Sequence, residues 1–177
     1  MIEALKLRLG DGLLSHEVLS GDDVLTVGAE GIHAALQMLR DEPEFAFDLL
    51  SDLFGMDRGV GAEGRFVVVY NLTSLSHRRR LRLQVRLPES DPEVESASDL
   101  WPAACWMERE AFDLFGIRFR NHPDLRRILL PDGYDGHPLR KDYPMQGHGE
   151  RDAFMKYTTQ TPLGDLLKTE EFKERLA

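Results

Sequence analysis

The side chains best suited to chemistry crowd into one stretch of this chain. Glu108, Arg109, Glu110 and Asp113 come first, and His122, Asp124, Arg126, Arg127, Asp132, His137, Arg140, Lys141 and Asp142 follow. Such a set suggests metal ligation by the histidines, acid–base work by the carboxylates, or ion pairing by the guanidiniums. The first is poorly served: His16, His33, His77, His122, His137 and His148 show neither H-x-x-x-H nor H-E-x-x-H spacing. His122 and His137 each precede proline, which biases them to extended backbone and to turn-stabilising or interface roles. The second chemistry fails on geometry, because Glu108 and Glu110 are two apart and diverge by roughly 200° on a helix. Asp113 lies four beyond Arg109, at ion-pair spacing on one helical face, which reads as a solvated charged face. Ion pairing is the use that this spacing favours.

Other candidate motifs are weaker. G-x-S-x-G is absent. Cys105 sits on the apolar side of its segment, as a small core residue would; as the lone cysteine it excludes an internal disulfide or a four-thiolate cluster, and it points to a reducing setting. Gly59, Gly61 and Gly64 satisfy G-x-G-x-x-G but run into Phe66–Tyr70, a strand pattern, whereas pyrophosphate binding needs a helix N-terminus there. A hairpin loop is the expectation. The basic row Arg78–Arg82 with Arg86 offers no aromatic on which a base would stack, so a charge-protected strand or a contact to an acidic protein is the better reading. The net charge of −9 and pI near 5.1 argue against nucleic acid and anionic membrane as general partners.

Local pattern predicts the elements that must position these groups. Leu5, Leu7 and Leu9 alternate with Lys6 and Arg8, which predicts a strand, and Asp23–Val27 a second. Ile32, Leu36 and Leu39 predict a helix over 31–39 that Pro43 ends. Phe45–Phe54, although its Leu-Leu-Ser-Asp-Leu also fits a helix, and Phe66–Tyr70 predict buried strands, and Leu81–Leu87, alternating with Arg80, Arg82, Gln84 and Arg86, a half-wet one joined to its predecessor by a turn over 73–79. A helix follows from Trp101 to Phe115, with Pro102 in its first turn, Ser98 or Asp99 as cap and Gly116 past its end. The expected fold is α+β, a mixed or antiparallel sheet packed with two helices in the order β-β-α-β-β-β-α. It occupies a compact domain over 1–116, followed by an extended partner-binding tail over 117–177. Neither an N-terminal leader nor an apolar run of about 20 residues is visible, so no membrane insertion is expected.

The tail poses a contradiction. FRNHPDLRRILLPDGYDGHPLRKDYP is too rich in proline for regular structure, yet Phe119, Leu125, Ile128, Leu129 and Leu130 want burial. This mixture suggests a strap pinned to another surface, with Asp124 and Asp132 capping turns and Arg126, Arg127, Arg140 and Lys141 paired to carboxylates. On this reading the strap is satisfied only when it lies across a second polypeptide.

The run from Glu108-Arg109-Glu110 and Asp113-Leu114-Phe115-Gly116-Ile117, through Phe119, His122-Pro123-Asp124-Leu125-Arg126-Arg127-Ile128-Leu129 and Asp132, to Gly136-His137-Pro138-Leu139-Arg140-Lys141-Asp142-Tyr143-Pro144 resembles the 30 kDa-type (C) subunit family of respiratory NADH:quinone oxidoreductase, or complex I. Cys105 and Asn121 depart from it, standing where asparagine and glycine are expected, and the chain beyond Pro144 does not align. The resemblance implies a cofactor-free structural subunit of the hydrophilic arm, peripheral on the cytoplasmic side of the cell (inner) membrane. The proton-translocating complex would pass electrons from NADH through FMN and iron–sulfur centres to quinone. It further implies a hetero-oligomer in which the tail packs on the D subunit, with the B and I subunits nearby. Glu108, Arg109, Glu110, Asp113, His122, Asp124, Arg126, Arg127, Asp132, His137, Arg140, Lys141 and Asp142 would be docking residues, none of them catalytic. The alternative is the equivalent subunit of a membrane-bound hydrogenase or of a ferredoxin- or deazaflavin-dependent dehydrogenase. A free-standing metal hydrolase using His122, His137 and Asp142 is the reading from a different class. The end of the chain, through Leu163, Leu166, Leu167 and Phe172, predicts a short amphipathic helix.

Overall fold

The structure, a computed structural model, describes residues 1–131 and 133–149. Two units separate, Met1–Tyr143 and Pro144–Ala177. In the second, the described residues form a turn closed by Gly147 N–H on the Pro144 carbonyl at 2.9 Å. Among the described residues, the first carries the helices and strands α1 (Ile2–Leu9), β1 (Leu13–Leu19), β2 (Asp22–Val27), α2 (Ile32–Asp41), β3 (Leu49–Asp57), β4 (Phe66–Ser74), β5 (Arg79–Leu87), β6 (Glu93–Glu95), α3 (Ala104–Phe115) and β7 (Arg118–Arg120).

Five strands form one mixed sheet in the order β1-β2-β5-β4-β3, in which β2 and β5 run parallel and the other neighbours antiparallel. One face is apolar. Leu25, Val27, Leu50, Leu53, Phe66, Val68, Tyr70, Leu72, Leu81, Leu83, Val85 and Leu87 pack there with Ile32, Leu36 and Leu39 of α2 and with Ala104 and Ala111 of α3. Each large apolar side chain so buried contributes about 1.5–3 kcal/mol, so this layer supplies the rigid platform for α3. The opposite face carries Arg82, bonded to Asn71 at 3.0 Å, and Gln84, bonded to Thr26 at 2.8 Å. Helix α3 lies against the edge strand β3, where a Cβ at Gly55 would sit 2.8 Å from the Phe115 ring. Only glycine lets the β3 backbone come this close to that ring.

The α+β fold with a mixed sheet agrees with the sequence reading, as do α2, β2, the hairpin loop at Gly59–Gly64 and the αL cap at Gly116, whose φ is 73°. Four details need correction. Leu5, Leu7 and Leu9 lie on α1: Leu-Lys-Leu-Arg-Leu fits either period, but Glu3, Ala4, Leu5 and Lys6 are strong helix formers, and Lys6 bonds Glu3 at 2.9 Å. Strand β1 takes the outer place instead, its alternation blurred by a bulge between Leu13 and Ser15. Strand β3 starts later than expected, because Phe45 and Phe47 fill the core from a turn in which the Phe47 N–H reaches the Leu39 carbonyl at 2.9 Å. Helix α3 begins at Ala104 with no side-chain cap; Pro102 precedes it, and Asp99 accepts from His33 at 3.0 Å instead. Compact packing also continues past Gly116 to Tyr143, so the unit boundary falls later than the expected one.

Candidate functional site

Two buried ionic groups tie the segment after α3 to the head, and a third buried carboxyl lies on the same helix. The first is Asp113, fully buried near the end of α3. Its Oδ2 accepts the backbone N–H groups of Ile128, Leu129 and Leu130 at 3.0, 2.8 and 2.9 Å, and its Oδ1 accepts Arg127 Nη1 at 2.7 Å. Burial opposes ionisation, but the Leu130, Leu129 and Ile128 amides and Arg127 outweigh it and hold this carboxyl below the ordinary range. A stretch too proline-rich to pair its own backbone thus finds its acceptor in one side chain.

Around this carboxylate the chain folds back on itself. Arg127 Nη2 donates to the Tyr134 and Gly136 carbonyls at 2.8 and 3.1 Å. Two α3 carbonyls left over at the helix end gain partners: His137 Nδ1–H donates to Asp113 O at 2.8 Å, and Arg140 Nε donates to Phe115 O at 2.6 Å. Burial, with Arg140 and Arg127 nearby, lowers the His137 pKa and keeps its ring neutral. Gly116 is enclosed here, since a Cβ on it would lie 2.6 Å from His137 Nε2. Arg109, also buried, donates to the Arg126 and Arg127 carbonyls at 3.0 and 2.9 Å and lies over the Trp106 ring.

The second group is Arg65, 1% exposed at the start of β4. Its guanidinium forks onto Asp57 at 3.0 and 2.8 Å, and it reaches Asp142 at 2.6 and 3.2 Å and Glu89 at 2.6 Å. Lys141 N–H adds a bond to Asp57 at 2.7 Å. The side-chain bond from Arg65 is the main reason that the Asp57 and Asp142 carboxyls sit below their ordinary values. Breaking a buried pair of this kind costs about 3–5 kcal/mol.

The third is Glu108, fully buried, which accepts Ser96 Oγ and Ala97 N–H, each at 2.6 Å. Burial pushes its pKa up to about 7. The Tyr70 hydroxyl, buried without a hydrogen-bond partner among the described residues, is raised by burial and then by Glu108. His122 closes the group: the Asp124 N–H donates to its Nδ1 at 3.0 Å, so Nε2 carries the proton and donates to Cys105 O at 3.0 Å.

The residues singled out from sequence are therefore brought together, but by one another and by the head. The expectation that the strap is satisfied only on a second polypeptide is corrected. The reason lies in buried acceptors and donors of its own chain, Asp113, Arg65 and Asp57, of which Arg65 and Asp57 went unnoticed. They stand eight apart, in a stretch whose periodicity singles out neither, and meet because β3 and β4 pair Asp57 opposite Phe66. That pairing is legible only if β3 is extended to Asp57. His122, His137 and Asp142 are engaged at separate points and do not converge, and no three metal-binding side chains cluster among the described residues. Arg126 pairs locally with Asp124 at 2.9 Å and stays exposed. The Glu110 carboxylate and the Lys141 ammonium have no ion pair or hydrogen bond among the described residues. Asp132 and the expected C-terminal helix lie outside them. No described helix is long and apolar enough to cross a membrane.

Comparison with known proteins adds a family. Residues 25–149 match the family described as respiratory-chain NADH dehydrogenase, 30 Kd subunit. The chain is 47% identical over 152 residues to the C subunit of NADH-quinone oxidoreductase from Thiobacillus denitrificans, covering 82% of this chain and 76% of that one. It is 46% identical to the protein of that name in Citrifermentans bemidjiense, covering 81% and 87%. Among solved structures, the trypsin-resistant fragment (1-134) of Nqo5 superposes with a TM-score of 0.61 at 31% identity, covering 70% of this chain and 96% of the fragment. A chain of an archaeal respiratory membrane complex, the membrane-bound sulfane sulfur reductase, shares the fold at a TM-score of 0.69 and 19% identity, covering 91% and 92%.

Proposed function

The chain belongs to the family of the respiratory-chain NADH dehydrogenase 30 Kd subunit, and from that premise we propose that it is a structural subunit in the peripheral arm of a proton-translocating NADH:quinone oxidoreductase. Electrons pass from NADH through FMN and iron–sulfur centres in other subunits to quinone. This chain contributes no catalytic residue and holds none of those groups. It sits on the cytoplasmic side of the membrane against the D subunit, with the B and I subunits nearby. The observation that carries the reading is the name shared by relatives 46–47% identical over four fifths of the chain. It favours this complex over a hydrogenase-type one. The geometry supports a scaffold: the carboxylates and guanidiniums of the motif are spent fixing a shape. Contacts to partners then fall to groups with capacity left on the outside, Glu110, Arg126 and Lys141 among the charges and Trp106, Leu129 and Leu139 among the apolar side chains.

Affinity purification of the tagged chain from native membranes tests this. The expected result is stoichiometric recovery of flavin-bearing and quinone-module subunits with NADH:quinone reductase activity. Recovery of the chain alone, or with a nickel-hydrogenase large subunit, contradicts the proposal.

A further inference from the structure

Where α3 crosses the edge strand β3, a groove of about 180 Å³ opens between Leu53 and Phe54 on one side and Met107 and Leu114 on the other, with Leu139 at its end and Glu110 on its lip. Its volume is well below the roughly 300–1,000 Å³ of small-molecule sites, and its lining is apolar, so its size suits one side chain rather than a cofactor. Leu139 is held there by a bond from its N–H to the Leu114 carbonyl at 3.1 Å, yet 47% of its surface is exposed. Glu110 is exposed on α3 and has no cation or donor among the described residues to answer it. Its neighbours in the motif, Glu108 and Asp113, are both buried and bonded. An apolar cleft with one unanswered carboxylate on its rim, on a chain of net charge −9, is complementary to an apolar residue flanked by a cation.

We propose that this groove seats a single apolar anchor from a neighbouring subunit, with a lysine or arginine of that subunit beside the anchor to pair with Glu110. The inference rests on the assembly reading above and names the contact chemistry within it. A photoreactive benzoylphenylalanine at Leu139, and another at Leu14 on the opposite sheet edge as control, is to be irradiated in the complex purified from membranes. Position 139 should give an adduct to an apolar residue with a Lys or Arg within a few residues, and position 14 should not give that adduct. In parallel, Glu110→Arg, at a side chain with no partner among the described residues, should leave the unfolding temperature of the chain unchanged and lower its recovery with the complex by about tenfold. If the chain sits in the complex but position 139 gives no adduct, or one remote from any cation, or Glu110→Arg is recovered at wild-type yield, the groove assignment is wrong while the assembly reading stands. If the wild-type chain does not copurify with the complex at all, both fall.

Discussion

Glu108 and Asp113 lie on the same helix, both fully buried, and they titrate in opposite directions. The difference is in the donors. Asp113 meets Arg127 and three backbone amides, which suit a charge, whereas Glu108 meets one hydroxyl and one amide, too few to offset burial. The consequence for stability follows from linkage. With a folded pKa raised from 4.5 to about 7, Glu108 binds its proton more tightly in the folded state, so its contribution is fully present below about pH 4.5 and is lost as pH rises to about 7. Asp57 and Asp113, with lowered values, act oppositely: their contribution is present above the ordinary carboxylate range and is lost on acidification. Glu108→Gln keeps an acceptor for Ala97 and a partner for Ser96 while removing the titration. Denaturant midpoints should therefore fall between pH 5 and 7.5 in the wild type, by an amount worth on the order of 3 kcal/mol, and stay flat in the variant. An equal fall in both would show that this carboxyl is not the group responsible.

At the scale of elements, α3 is the part on which the rest of the site depends, and its C-terminal end does most of the positioning. The left-handed Gly116, with φ 73°, turns the chain so that His137 and Arg140 can bond the last α3 carbonyls. Gly116→Ala combines a strained φ with a clash against His137 Nε2 and should cost about 1–3 kcal/mol. Tryptic cleavage after Arg127 and Arg140 should accelerate accordingly; an unchanged digestion rate would argue that the cap does not hold the strap. Much of this element was legible: the apolar period of Trp101–Phe115 and the final glycine located it. Its buried side was less so, because Arg109 and Asp113 read as a solvated charged face and prove to be interior groups bonded to residues 126–130. Periodicity reports which side a helix hides only when what covers it is apolar, and here the cover is a strap's backbone. For the same reason α1, where leucine and base alternate, was readable as a strand, while β4 and β5, with unbroken or strictly alternating apolar runs, were not mistaken.

The whole molecule resolves the tail's contradiction within one chain. Phe119 is buried and Leu125 packs against the core, while the prolines lower the entropy lost on ordering and the Asp113 and Asp57 carboxylates with their arginine partners supply hydrogen bonds that regular structure would have given. What is offered to an assembly is then a finished surface and not a loose arm, which reduces the ordering cost of binding. The chain belongs to a family of respiratory-chain NADH dehydrogenase subunits; under the assembly proposed above, the internal lock lets this subunit present its surface before the others arrive. Amide hydrogen exchange on the isolated chain tests the lock most directly. The N–H groups of Ile128, Leu129 and Leu130, each donated to buried Asp113, should exchange as slowly as the strands of the sheet, with no partner present. Exchange at the unprotected rate in the isolated chain, with protection gained only inside the complex, would contradict the account.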